Sequence, residues 1–174
     1  LALPRLEAGQ ESTVHLRIGG QPDNLFGYID NVKTPEALTA LLNDYLSAMT
    51  DIIHEEGGTV DKYEGDAIIA FWNAPLALPD HAARAIRSAI EMRQRLEEFN
   101  SERREGPSLR IRIGINSGKA VACEIGSENK KEYTVLGDTV NTASRLESSV
   151  AKPGTVVVGQ NTLEAIEGQF DCHA

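Results

Sequence analysis

In the stretch DKYEGDAIIAF (61–71) one carboxylate, Asp66, stands immediately before the apolar run Ala67-Ile68-Ile69-Ala70. A carboxylate beside a buried strand suits Mg²⁺, which takes few protein oxygens and completes its shell from water or phosphate. The bland alternative is a turn aspartate, which Gly-Asp pairs supply everywhere. Lys62, four residues earlier, either reaches the same cleft or is a solvated lysine flanked by Asp61 and Glu64. In DTVNTASR (138–145), Asn141 and Arg145 stand at i and i+4 and so share one helical face. An amide stacked with a planar fork of guanidinium donors suits a sugar and a phosphate, unless the pair merely faces solvent. Arg112 projects from the polar side of an alternating segment with small neighbours around it; its alternative is a cross-strand salt bridge to Glu124.

These side chains need elements to aim them. Thr34-Pro35-Glu36 is a helix start, with a capping hydroxyl, proline in the first turn and an early acid. Apolar residues follow at Leu38, Leu41, Leu42, Tyr45, Leu46, Met49, Ile52 and Ile53, the spacing of one helix face, and Gly57-Gly58 stops it. TVDKYEGDAIIAFW reads as two strands about a turn at Glu64-Gly65-Asp66. A second helix follows Pro79-Asp80, with Ile86, Ala89, Ile90, Leu96 and Phe99 inward. LRIRIGIN alternates strictly, with Leu109, Ile111, Ile113 and Ile115 on one side. Residues 119–125 are expected to pair with it across Ser117-Gly118. A strand at 133–136 leads through Gly137 into a helix with Asp138 as its N-cap, and 155–158 is a last strand. Residues 25–29 read as a short buried strand, and 1–24, with Pro4, Gly19-Gly20 and Pro22, as an irregular lead-in arm. Two long helices on a mainly antiparallel sheet give an α+β sandwich of the ferredoxin-like kind.

The composition narrows the function classes. With 41% hydrophobic and 25% charged residues the chain is that of a soluble globular domain. A net charge of −9 argues against a nucleic-acid backbone as main partner. Two cysteines, Cys123 and Cys172, form no metal or disulfide pattern and read as reduced thiols in a cytoplasmic setting. No apolar run approaches the ~20 residues that span a bilayer. The chain reads as a domain cut from a longer protein, which leaves room for a membrane anchor elsewhere.

Taken together, DKYEGDAIIAFWNAP, LRIRIGINSGKAV and EYTVLGDTVNTASRLE, in that order and at these spacings, resemble the catalytic domain of the class III nucleotidyl cyclases. The likeness runs from about Thr34 to Val158. It implies a head-to-tail homodimer with active sites at the subunit interface, each using two Mg²⁺ or Mn²⁺ ions held by two aspartates of one protomer. Asp66 matches the second of these aspartates, and Arg112 the arginine that approaches the triphosphate from the same side. From the other protomer, Lys62 and Thr134 match the pair that reads the purine, Asn141 the residue that orients the ribose, and Arg145 the one that stabilises the reacting phosphate. A lysine donor suits N1 of adenine, and guanylyl cyclases of this family generally carry an acid there. The resemblance therefore implies an adenylyl cyclase, making cyclic AMP and pyrophosphate from ATP. Threonine at position 134 is similar to the subgroup that includes bicarbonate-responsive enzymes, and an upstream regulatory domain is expected in the parent protein.

Asp30 is the best match to the first metal aspartate, with Asp23 the runner-up. The Gly-Phe-Thr segment that follows this aspartate in the family is missing, and the link to Pro35 is short. The chain also stops before the family's C-terminal strands. The catalytic domain is thus expected at 25–174, with a truncated end. A catalytically weak or silent dimerisation domain, and a guanylyl cyclase, stand as alternatives.

Overall fold

The computed structural model describes residues 11–20, 34–103, 108–166 and 168–173, with 11–20 described in backbone only. Strand β1 (Glu11–Gly20) leads to helix α1 (Pro35–Glu55), the hairpin β2 (Thr59–Glu64) and β3 (Ala67–Phe71), helix α2 (His81–Glu102) and strand β4 (Ile111–Lys119). There follow β5 (Val121–Gly126), β6 (Lys131–Leu136), helix α3 (Asp138–Arg145), a π-helical turn (Leu146–Val150), β7 (Val156–Val158) and the short α4 (Gln160–Ala165).

The main sheet has the order β2-β3-β1-β4-β7, with β1 antiparallel to both β3 and β4, and β7 parallel to β4. The first four strands and two helices make the βαββαβ unit of a ferredoxin-like sandwich, as the sequence implies. Helix α1 starts where its cap says it should: Thr34 accepts a hydrogen bond from the Ala37 amide at 3.3 Å. Leu41, Tyr45, Met49, Ile52 and Ile53 form its buried stripe. On α2 the buried seam runs through Ala82, Ile86, Ala89, Met92, Leu96 and Phe99. Ile90, expected inward, is 39% exposed, because it lies a hundred degrees round the helix from Ala89 and Met92 holds the seam instead. Both stripes close over Ile68, Ala70, Trp72, Ile111, Ile113 and Ile115 to make the main core. Each such large side chain stabilises the fold by about 1.5–3 kcal/mol on burial.

Three expectations need correction. Residues 11–20 lie within the span read as an irregular arm, yet they form the central strand. Val14, Leu16 and Ile18 carry the period-two pattern of a strand, and Gly19-Gly20 and Pro22 mark its end rather than general irregularity. Secondly, β5 does not pair with β4. Both edges of β4 are taken by β1 and β7, so β5 turns away at Ala120 and pairs with β6 in a separate two-stranded sheet. Thirdly, Gly137, with φ 152°, is the N-cap of α3, and Asp138 is its first helical residue. That backbone region is essentially open to glycine alone. The expected strand at 25–29 lies outside the described residues, as do Asp23 and Asp30.

The β5–β6 ribbon packs on the other side of the sheet from α1 and α2, through Phe71, Ala74, Ala122 and Val135, with the Phe71 and Tyr133 rings 5.9 Å apart. Helix α3 lies on the same side, directly over β4. Gly114 makes that approach possible: a Cβ there would land on the Ala143 carbonyl oxygen and the Glu147 amide.

Candidate active site

The hairpin β2–β3 is irregular in one place. Val60 pairs with Ala70 and Lys62 with Ile69, so Asp61 is an extra, bulged residue. Two β2 residues therefore oppose one on β3, which re-aims the side chains that follow. Without the bulge Lys62 would lie opposite Ile68, on the side that packs against α1. With it, Lys62 turns to the side of Ile69, α3 and β6.

Here the side chains converge. Asp61 is only 3% exposed, and its Oδ2 accepts a hydrogen bond of 2.9 Å from the Thr134 hydroxyl on β6. Lys62, 38% exposed, holds its Nζ 3.6 Å from Asp61 Oδ1. Burial raises the Asp61 carboxyl above its ordinary value, against the opposing pull of the Thr134 hydroxyl and the Lys62 charge. Asp61, Lys62, Ile69, Thr134, Leu136 and Asn141 are among the residues lining a cleft of about 430 Å³, within the range of small-ligand sites. Glu64 and Glu132 stand at the same cleft. Three carboxylates beside one lysine make it acidic, hostile to a triphosphate and suited to a neutral, hydrogen-bonding group such as a purine base.

Asn141 and Arg145 stand one turn apart on the exposed face of α3. Asn141 lines the cleft; Arg145 lies beyond it, and neither side chain has a hydrogen-bond partner among the described residues. Arg112 sits on the side of β4 that α3 covers. Its Nε is 3.0 Å from Glu147 Oε1 in the π-helical turn, so its ion-pair partner is Glu147 and not the Glu124 considered from sequence. That contact engages the Nε edge of the guanidinium, one of several donor positions an arginine offers.

Asp66 is placed apart from the cleft, at the turn of the hairpin. Arg112 lies opposite Gly19 of β1, and continuing the β1–β3 register by two residues sets Gly20 opposite Asp66. The two residues thus flank the same end of β1, their backbones about 10 Å apart by two inter-strand spacings, with Arg112 on the α3 side of the sheet and Asp66 toward Tyr45 of α1. Asp66 Oδ2 is buried with no hydrogen-bond partner among the described residues, and so is the Tyr45 hydroxyl of α1. The Tyr45 phenol is pushed well above its ordinary pKa, first by burial and then by the Asp66 charge. An orphaned buried carboxylate oxygen is the donor that a hard divalent cation takes. Among the described residues no group of three or more His, Cys, Asp or Glu side chains gathers as a metal cage, so an ion at Asp66 would draw its other oxygens from elsewhere. Asp61, Tyr45 and Glu147 were not singled out from sequence. The flanking of Lys62 by Asp61 was the one available signal.

An α+β sandwich with a purine-sized acidic cleft on one side, and a buried carboxylate and an arginine at the end of its central strand, defines a nucleotide-handling domain. Comparison with known proteins makes the class specific: residues 24–174 match the family described as the adenylate and guanylate cyclase catalytic domain, and the chain belongs to that family. Strand β1 precedes the matched segment. Adenylate cyclase 1 of Rhizobium meliloti is 38% identical over 142 residues, covering 80% of this chain and 21% of that protein, so the chain spans about a fifth of this relative's length. Among solved structures, the guanylate cyclase domain of RhGC from Catenaria anguillulae in complex with GTP superposes with a TM-score of 0.81 at 31% identity, covering 92% of this chain and 85% of that one. The adenylyl cyclase CyaB from P. aeruginosa gives 0.79 at 30%, covering 91% and 82%. Among the described residues no helix is long and apolar enough to cross a membrane. Cys123 and Cys172 are both free thiols.

Proposed function

We propose that this domain converts ATP to 3′,5′-cyclic AMP and pyrophosphate, in sites shared between two copies of the chain. The observation that carries the choice of base is the meeting of Lys62, Thr134 and Asn141 in one acidic cleft. Lys62 donates to N1 of adenine, and Thr134 contacts the 6-amino group. Asn141 orients the ribose below them. Arg145, one turn on and without a hydrogen-bond partner among the described residues, reaches the phosphates and offsets charge that builds on the equatorial oxygens. The ribose 3′-oxygen forms a bond to the α-phosphorus as the bond to the β-phosphate oxygen breaks, and the hydroxyl proton leaves to solvent. Asp66, with Arg112 at the same end of β1, serves the triphosphate in the site completed by the other protomer. Asp30 is the proposed partner of Asp66. Two Mg²⁺ or Mn²⁺ ions held there would lower the pKa of the 3′-hydroxyl and neutralise the leaving pyrophosphate.

The separation of Lys62 from Asp66 supports the shared site, since one hairpin sends these side chains to different places. Exposed Val121, Ile125 and Leu136 on the β5–β6 ribbon, 46%, 44% and 51% accessible, supply apolar surface for a homodimer. A cytoplasmic location, an upstream regulatory domain and a response to bicarbonate complete the proposal.

One observation favours a second reading, a silent cyclase-like dimerisation domain: β1 brings Gly19 and Gly20, and no carboxylate, to the end facing Asp66. Purified protein with Mn²⁺ and either ATP or GTP separates the readings. Cyclic AMP as the main product, with kcat/KM for ATP falling roughly a hundredfold in Lys62→Glu, supports the adenylyl cyclase. No cyclic nucleotide from either substrate favours the silent domain. Preferred use of GTP, unmoved by Lys62→Glu, points to a guanylyl cyclase.

A further inference from the structure

We infer that Asp61 is a specificity-determining residue: by accepting the Thr134 hydroxyl proton it fixes Thr134 as a hydrogen-bond acceptor toward the 6-position of the purine. This rests on the reading of Lys62 and Thr134 as the base-selecting pair.

A threonine hydroxyl alone cannot discriminate between purines at this position. It rotates, donating to a 6-oxo group as readily as it accepts from a 6-amino group. Here the rotation is removed. An ionised carboxylate only accepts, so the 2.9 Å contact between Thr134 Oγ1 and Asp61 Oδ2 commits the one hydroxyl proton to Asp61. What Thr134 turns to the cleft is then lone-pair density. Adenine answers it with N6–H, while its N1 accepts from Lys62. A 6-oxo purine would set its carbonyl against the Thr134 lone pairs and its N1–H against the lysine, leaving polar groups buried without partners.

The placement is built rather than incidental. Asp61 is the bulged residue of β2, and the bulge is what brings it and Lys62 to the same cleft. Its side chain is 3% exposed, and its second oxygen, Oδ1, has no hydrogen-bond partner among the described residues and faces Lys62 Nζ at 3.6 Å. The Thr134 hydroxyl and the Lys62 charge thus hold the carboxylate in place and favour its charged form, against the burial that raises its pKa.

The test compares ATP with inosine triphosphate, which differs at N1 and C6 but carries no 2-amino group. Both cyclisation and equilibrium binding are measured, binding with 3′-deoxy analogues that cannot react. Asp61→Asn keeps the shape but supplies an amide that can turn its N–H₂ to Thr134, freeing the hydroxyl to donate. The ATP-to-inosine-triphosphate ratio is expected to narrow by roughly tenfold, mainly through better use of the inosine nucleotide. Thr134→Val should narrow the ratio as well, and adding Asp61→Asn to it should change the ratio no further. A wild-type preference that survives Asp61→Asn intact overturns the role of Asp61 and leaves the base-selecting pair standing. Wild-type protein that prefers neither nucleotide, in turnover or in binding, overturns the underlying reading of the cleft, and this inference with it. Independent narrowing by the two substitutions, adding in the double variant, also overturns it.

Discussion

Asp61 illustrates how a single side chain in this domain trades stability for a chemical task. Its carboxyl is raised by burial, so the folded protein binds that proton more tightly than the unfolded chain does. The stability associated with it is complete below the unfolded carboxyl pKa of about 3.9 and is lost as pH rises through the higher folded value. Asp61→Asn removes the titration. The variant should therefore melt a few degrees above the parent at neutral pH, and the difference should shrink as pH falls toward 4; thermal unfolding across that range reads it directly. None of this was legible from sequence, where Asp61 was one acid flanking a lysine. The residues with the strongest local signals, Asn141 and Arg145 at i and i+4, do share the exposed face of α3. Arg112 lies on the side of β4 that the alternation sets, and its ion-pair partner, Glu147, comes from a turn 35 residues on in the chain, which no spacing rule reaches.

Between elements, the contact that governs the cleft is α3 on β4. Gly114 is the point of closest approach, and Gly137 starts the helix in a backbone conformation that other residues avoid. Gly114→Ala should push α3 outward, lowering unfolding free energy by about 1–3 kcal/mol in a denaturant titration. Asn141 would move with the helix, so nucleotide turnover should fall further than the stability loss alone explains. Helices and the hairpin could be read from periodicity and caps because those signals are local. Strand pairing could not: β5 was assigned to the nearest strand in sequence, and the central strand β1 was hidden by the glycines that end it. Pairing is decided by which edges are free, and that is settled only when the whole sheet is assembled.

For the whole molecule, the proposed site is complete only when two chains meet. Each copy would contribute Asp66 and Arg112 to one site and Lys62, Thr134, Asn141 and Arg145 to the other. Chains bearing Asp66→Ala and chains bearing Arg145→Ala should each be inactive alone. A mixture should recover about a quarter of wild-type activity, from heterodimers at statistical abundance that each carry one intact site. Well-folded mixtures that stay silent would count against sites shared in this way. With a net charge of −9, the domain would need local cations to offset a triphosphate's charge, and Arg112 and Arg145, which do not line the acidic cleft, are the proposed ones.

The bulge in β2 acts on the chain as a phase shift. Before it, Val60 lies opposite Ala70 on the core side; after it, Lys62 lies opposite Ile69 on the cleft side. Loss of Asp61 would keep these partners and make the ladder regular, with Lys62 still opposite Ile69 and Tyr63 still opposite Ile68, whereas a regular pairing of Asp61 itself would shift the phase. Regular pairing of Asp61 would make Lys62 and Tyr63 exchange sides and would break the hydrogen bond between the Tyr63 and Thr50 hydroxyls. This hairpin carries one residue more than its ladder needs, and what a one-residue deletion would take from the cleft is the Asp61 carboxylate, not the lysine beside it.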